Sequence, residues 1–380
     1  MGKRLGRTGQ MLLTVLLVGM LTALIFCRWG CTRKPVRIGF VGGLTGSMSD
    51  LGVAGRDGAL LAVEEINQRG GINGRPLELL IRDDRNDAVE AVRVDRELVS
   101  AGVVAIVGHM TSAMSLAGVP VANEAKVPML SPTTSSNELT GLDDWFVRLY
   151  PPSQAMAGEL ARHARNALKV RRMVVIYDTD NRGHAESWLR AFRQEFAAQG
   201  GEIVAVKSFS SRSAKDFTSL VERSLAPAPD SLFVIADALD TAMLCQQLAK
   251  RRSILPIIVT EWSTTDQLLQ GGRAVERVSF VQNFDRQLTS PAYLSFRDAY
   301  SRRFNLEPNF AALFSYESVM LLAHALATAD TPAEIRQTIL AIGSFQGLQG
   351  KITLDRFGEA RRTPFVTTIR QGRFVRWSDQ

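Results

Sequence analysis

The chain has 380 residues, 46% of them apolar and 22% charged: ordinary for a folded soluble protein, and too long for one ordinary core. Its net charge of +7 is almost entirely terminal, because residues 1–34 hold Lys3, Arg4, Arg7, Arg28, Arg33 and Lys34 and no acid, leaving thirty-nine basic against thirty-eight acidic residues in the body. A body so balanced, with no long basic run interleaved with aromatics, argues against nucleic-acid binding.

The first segment reads as an export signal. Lys3, Arg4 and Arg7 form a positive leader, and Met11 to Cys27 is a 17-residue run without charge. That length is the lower limit for a membrane span. No A-x-A-like cleavage site follows, and Phe26 before Cys27 and Arg28 before Cys31 fit a lipobox badly. An uncleaved anchor, a lipid tether and a cleaved signal all stay open, and each places the body outside the cytoplasm. Only Cys245 lies in the body, so no disulfide forms within it. Its setting, Thr241 to Leu248, is a helical pattern in which it reads as a small buried apolar residue.

The body alternates strand and helix. Strand Val36–Val41 precedes a helix over Val53–Gln68, with Leu60, Leu61, Val63 and Ile66 on or near one face. A Gly-rich turn, Gly70 to Pro76, leads into strand Leu77–Ile81. Helix Ala88–Ser100, strand Val103–Val107, a helix after Ser112 and strand Val127–Leu130 follow. After Tyr150-Pro151-Pro152 the rhythm restarts: helix Gln154–Leu168, strand Met173–Tyr177, helix Ala185–Gln199, strand Ile203–Phe209, helix Phe217–Leu225, strand Ser231–Ala236, helix Thr241–Arg251 and strand Pro256–Thr260. Helices Pro291–Phe304, Leu313–Ala327 and Pro332–Ile342 come next, the last opened by a capping box, Thr331 with Glu334. The tail turns to strands at Lys351–Leu354, Pro364–Ile369 and Phe374–Trp377. Such alternation predicts two doubly wound parallel-sheet lobes with helices on both faces.

Ligands in such sheets sit at the carboxyl ends of the strands. Two hydroxyl-rich loops stand there, Gly108-His109-Met110-Thr111-Ser112 and Ser131-Pro132-Thr133-Thr134-Ser135. Hydroxyls beside a helix N-terminus suit a carboxylate. Glu261, after strand Pro256–Thr260, reads either as a cleft carboxylate for an ammonium or as a surface acid. Gly42 to Ser47 lacks the Gly-Lys-Ser/Thr ending of a phosphate loop and reads as a turn at the cleft. Asp83-Asp84-Arg85-Asn86-Asp87 reads as a turn with a helix cap at Asp87 rather than a cation site. The histidines, His109, His163, His184 and His324, lack metal-ligand spacing, so neither metal nor cofactor is expected. Ser112 sits in no nucleophile elbow, although His109, three residues upstream, leaves a serine nucleophile open. No catalytic constellation is visible, and the chain reads as a binder.

In their order and spacing, Ile38-Gly39-Phe40 into Leu44-Thr45-Gly46, Ala62 to Asn67 with Gly70 to Gly74, Arg82-Asp83-Asp84, Val107-Gly108-His109, and Ser131-Pro132 ending in Glu138-Leu139-Thr140 resemble the type I periplasmic binding proteins, above all the leucine/isoleucine/valine-binding branch. The resemblance covers Val36 to Trp377. It implies two lobes joined by three crossover strands, closing like a hinged trap on a small-molecule ligand. Residues 35–149 with 284–347 would form lobe 1, residues 150–283 with 348–380 lobe 2, and residues 1–34 the signal or anchor. Position by position, it puts Ser112, Thr133 and Ser135 at the ligand carboxylate and Glu261 at the ammonium. Leu51, Arg182 and Asp237 fall where the branch commonly has aromatic walls, and Asn86 and Thr111 where some relatives have a disulfide. Arg182 reads either as a reader of a second polar ligand group or as a solvated side chain. The implied role is a periplasmic substrate-binding protein that delivers an amino acid or related acid or amide to an ABC transporter permease. The alternative is a sensor of the same fold, tethered through residues 11–27 and signalling to a separate partner.

Overall fold

The computed structural model describes residues 34–378 except Ser47, Ala214 and Lys215. The export or anchor segment lies outside the described residues. Among those described, no helix is long and apolar enough to cross a membrane.

Lobe 1 is built on β1 (Val36–Gly42), β2 (Leu77–Asp83), β3 (Ile106–Val107), β4 (Met129–Ser131) and β5 (Phe146–Arg148). All are parallel, in the order β2-β1-β3-β4-β5. Between them run α1 (Asp50–Gln68), α2 (Ala88–Ser100) and α3 (Ser112–Ala125). Lobe 2 repeats the winding. It contains α4 (Ser153–Arg162), β6 (Arg172–Asp178), α5 (Arg182–Ala198), β7 (Glu202–Phe209), α6 (Phe217–Leu225), β8 (Ser231–Ile235), α7 (Ala238–Lys250), β9 (Ile257–Val259), the short α8 (Asp266–Leu269) and β10 (Ser279–Gln282). Its parallel strands lie in the order β7-β6-β8-β9-β10, the same switchback as lobe 1. Reversal of strand order between β1 and β3, and between β6 and β8, opens a crevice at the strand ends of each lobe, and the two crevices face each other.

The chain then returns to lobe 1 as α9 (Pro291–Phe304), α10 (Phe310–Leu326) and α11 (Pro332–Ile342), followed by a small antiparallel sheet of β11 (Ser344–Gly347), β12 (Gly350–Leu354) and β13 (Ala360–Arg361). α10 is apolar nearly all round and is buried, as such a helix must be. Gly58 lets α1 lie directly on it: a Cβ there would sit 2.0 Å from the Ala312 carbonyl oxygen. The capping box of α11 forms as its sequence predicts.

Four differences from the sequence reading stand out. The lobe 2 sheet is not wholly parallel, because β14 (Phe365–Arg370) and β15 (Arg373–Arg376) add antiparallel strands beside β10. The helix expected over 154–168 changes to a π turn at His163–Ala167. Helices expected from Val53, Ala185, Thr241 and Leu313 begin at Asp50, Arg182, Ala238 and Phe310. Finally, a lobe boundary at 347/348 falls inside the β11–β12 hairpin. That sheet is fastened to lobe 1, where the Arg148 amide donates to the Gly358 carbonyl at 3.0 Å and the buried Arg148 guanidinium pairs with Glu359 at 3.0 Å. We therefore place the third crossover at Arg362 to Pro364. We place the first two at Tyr150 to Pro152 and at Asn283 and Phe284. Arg362 joins two of the three: its Nε donates to the Leu149 carbonyl at 3.0 Å, its Nη2 to Glu317 of α10 at 2.5 Å, and its guanidinium covers the Phe314 ring.

Candidate ligand-binding cleft

Leu51, Met110, Thr111, Ser112, Thr133, Asn181, His184, Glu261, Trp262 and Phe310 line a narrow space between the lobes, nearly filled by these side chains. Lobe 1 supplies its part through the β3–α3 and β4 loops and the first turns of α1 and α10. In these loops, hydroxyls hold the backbone. Ser131 Oγ donates to the His109 carbonyl at 2.8 Å, and Thr133 Oγ1 donates to that of Met110 at 2.6 Å. The Ser135 amide donates to Ser112 Oγ at 3.3 Å, so the two loops read from the sequence are stitched to each other.

Beneath them lies a charge cluster. His109, with 0% exposure, has Nδ1 2.7 Å from Asp84 Oδ2 and Nε2 3.0 Å from Asp95 Oδ2, both carboxylates being buried as well. Burial alone would lower the imidazole pKa, but the charges and hydrogen bonds of Asp95 and Asp84 outweigh it and push it up to about 10. With both ring nitrogens held this way, His109 is not available as a base for Ser112, which closes the nucleophile reading left open by the sequence. The rest of the acidic cluster is structural: Asp83 accepts from the Leu44 amide and Thr45 Oγ1, and Asp87 caps α2 through the Val89 and Glu90 amides.

Lobe 2 presents the opposite chemistry. Glu261, after β9, is 2% exposed. Its Oε1 accepts from Ser135 Oγ of lobe 1 at 3.0 Å and from Trp188 Nε1 at 3.3 Å, while Oε2 is buried without a partner among the described residues. Burial pushes the Glu261 carboxyl up to about 7, against the hydrogen bonds from its own amide, Trp188 and Ser135. His184 stands beside it, with Nδ1 3.0 Å from Ser135 Oγ and Nε2 3.2 Å from Thr260 Oγ1. Because Ser135 donates its proton to Glu261, His184 donates from Nδ1 to Ser135 and accepts at Nε2. Burial lowers its pKa to about 3, so it stays neutral although Glu261 Oε1 lies 3.8 Å from its Nδ1. A Ser135 hydroxyl that receives a proton from histidine is not thereby activated as a nucleophile.

The lobes also meet at Asn181, whose Oδ1 accepts from the Ala113 amide in the first turn of α3 at 3.1 Å, and at Thr265, whose Oγ1 donates to Asp50 at 2.5 Å. The arrangement is thus polar in a defined sense. Lobe 1 brings hydroxyls and a helix N-terminus, bonded to one another and to Asn181 and Glu261, and lobe 2 brings a carboxylate.

Of the residues singled out in the sequence, Ser112, Thr133, Glu261 and Leu51 line the cleft, and Ser135 hydrogen-bonds into it. Two do not line it. The Arg182 side chain is 70% exposed and pairs with Glu186 one turn on at 2.8 Å. Asp237 caps α7, accepting from the Asp240 amide at 2.8 Å. The sequence reading missed Met110, Asn181, His184, Trp262 and Phe310, and with them the aromatic walls it had expected to be lost. Cys245 is buried, as read, with its thiol raised by burial to about 12.

The pattern of the periplasmic binding protein family matches residues 35–378. The chain belongs to that family. Among its relatives, an amino acid binding protein of Pseudomonas aeruginosa is 27% identical over 341 residues, covering 87% of this chain and 89% of the relative. The fold superposes on the branched-chain amino acid transporter substrate-binding protein LivJ of Streptococcus pneumoniae, solved with isoleucine, at a TM-score of 0.83 and 26% identity, covering 90% and 98% of the two chains. A solute-binding protein of R. palustris, solved with benzoate, has a TM-score of 0.82 at 17% identity, covering 90% and 95%, a likeness of fold alone. Periplasmic binding proteins therefore share this two-lobed frame across chemically different ligands, and the polar groups of this cleft must carry the ligand assignment.

Proposed function

We propose that this periplasmic binding protein captures an α-amino acid between its lobes and presents it to an ABC importer. The observation that carries the reading is the buried Oε2 of Glu261, unpartnered among the described residues, on a residue that faces a helix N-terminus and hydroxyls across the cleft. An isolated buried carboxylate oxygen is costly, and an ammonium N–H removes that cost with a charge-assisted hydrogen bond. In this reading the α3 N-terminus, Ser112, Thr133 and Ser135 receive the ligand carboxylate, and Leu51, Met110, Trp262 and Phe310 enclose an apolar side chain. Asn181 Oδ1 on the Ala113 amide and Ser135 Oγ on Glu261 then hold the places of a ligand oxygen and a ligand N–H. Binding selects the closed arrangement and breaks no bond of the ligand. The likeness to the isoleucine-bound LivJ supports the ligand class, and the family supports delivery to a permease.

Calorimetric titration of ligand-stripped protein with the twenty amino acids and with benzoate tests the reading. Saturable binding confined to amino acids, weakened in Glu261→Gln, is expected. Binding of benzoate with none of any amino acid would remove the ammonium role of Glu261.

A further inference from the structure

The outer end of lobe 2, farthest from the cleft, carries a feature that ligand capture does not use. Strands β6, β8, β9 and β10 are parallel and point their carboxyl ends at the cleft, so their amino ends, together with the β14–β15 turn, form the opposite face of the sheet. Across this end stand Arg370 and Arg373 at the β14–β15 turn, Arg277 before β10, Arg252 before β9, and Arg171 and Arg172 at the start of β6, all exposed. With neighbouring strands about 4.8 Å apart, this row runs roughly 24 Å from β15 to β6.

None of the six makes a side-chain ion pair among the described residues. The nearby carboxylates hold backbone amides: Asp230 accepts from those of Arg171 and Arg172 and also feels both guanidinium charges, and Glu276 accepts from those of Gln371 and Gly372. Arg251, next to the row, is neutralised by Glu222. Glu202, at the start of β7, is a further acid at this edge. Counting Asp230, Glu276 and Glu202 against the six arginines, this end of the lobe keeps a net of three positive charges. Near the middle of the row, Ile254 projects with 97% of its surface exposed, in the turn between Arg252 and β9.

We propose that this end of lobe 2 is a docking surface for an anionic lipid bilayer. The row is long, crossing the ends of six strands, so it fits a laterally extended anionic surface. Ile254 decides the kind of surface, since a lone aliphatic side chain flanked by arginines matches the boundary between headgroups and acyl chains. Lys34 enters β1 at the outer end of lobe 1, away from this surface, and the surface places no demand on the ligand reading.

Full-length protein is mixed with phosphatidylcholine vesicles, with and without phosphatidylglycerol, at low and high salt. The readout is the increment caused by the anionic lipid, which discounts any attachment common to both kinds of vesicle. Wild type is expected to gain about tenfold or more in partitioning, a gain that fades as salt rises. Arg252→Glu, Arg277→Glu and Arg373→Glu together are expected to remove it while leaving the thermal midpoint and amino-acid titration unchanged. The three Arg→Gln changes carry the same test should charge reversal perturb folding. Ile254→Trp is expected to shift its fluorescence to the blue with anionic vesicles only. An increment that survives the triple change would overturn the proposal by assigning anion binding to residues 1–34. An increment that depends on the arginines, while the indole introduced by Ile254→Trp stays in water, would also overturn it, pointing to an acidic protein surface instead.

Discussion

Two histidines, one on each side of the cleft, are both buried and carry opposite charge states. His109 lies between Asp84 and Asp95 and is held as a cation, with its pKa raised to about 10. His184 lies between two hydroxyls and is held neutral, with its pKa lowered to about 3. Burial acts the same way on both, and the carboxylates make the difference. In lobe 1 a buried cation and its partners fix the loop that leads to Ser112. In lobe 2 the neutral imidazole fixes a hydroxyl and contributes no charge, so the nearby Glu261 keeps an oxygen without a partner among the described residues. One half of the site is electrostatically complete, and the other awaits a donor.

Removing a histidine tests this contrast most severely. His109→Leu leaves two buried carboxylates facing each other and is expected to cost about 3–5 kcal/mol in urea unfolding. His184→Leu strands only hydroxyls and is expected to cost about 1–2 kcal/mol. Equal losses would break the comparison. For ligand affinity, Glu261→Gln is expected to weaken amino-acid binding by about 1.5–3 kcal/mol in calorimetry, the range for a hydrogen bond to a charged group.

The pH dependence sharpens it further. His109 has a folded pKa above its unfolded value, so its contribution is complete below about 6.5 and is lost as pH rises through about 10. Glu261 acts differently. Its folded pKa is raised from 4.5 to about 7, so the ligand-free protein binds the proton more tightly than the unfolded chain and loses stability as pH rises across that interval. An ammonium requires the ionised carboxylate, so affinity is expected to fall about tenfold per pH unit below 7, as read by titration calorimetry. The smallest effect is expected from Arg182→Ala, less than about twofold in affinity, because that side chain lies in water against Glu186.

The layered fold was legible because it rests on long periodic runs. The alternation of strand and helix, the glycine-rich turns and the capping box at Thr331 all state themselves locally. The site was half legible, and the reason is visible in the helix starts. Asp50, Arg182, Ala238 and Phe310 each open a helix three residues before the apolar periodicity begins. First-turn residues of these helices need not obey the periodicity of the core, because they face the cleft instead. Leu51, His184 and Phe310 sit in those turns, and Asn181 immediately precedes one. Reading a helix from its first buried ridge therefore discards the turn that meets the ligand. His184 had one available signal, its position three residues after Asn181 at the end of a strand. Trp262 stood beside Glu261 in the same loop and was passed over for its charged neighbour. Arg182 was misplaced for the opposite reason: alignment by position puts its backbone at the cleft, but the i to i+4 pairing with Glu186 turns its side chain away.

Arg362 limits how such a molecule can move. One guanidinium joins the first crossover, the third crossover and α10, so those two connections cannot bend independently. Leu149, Glu317 and Arg362 all stand on the lobe 1 side, so the junction fixes the roots of two connections there and leaves bending to the residues beyond it. Whatever angle the lobes take, these two connections leave lobe 1 from one clamped point.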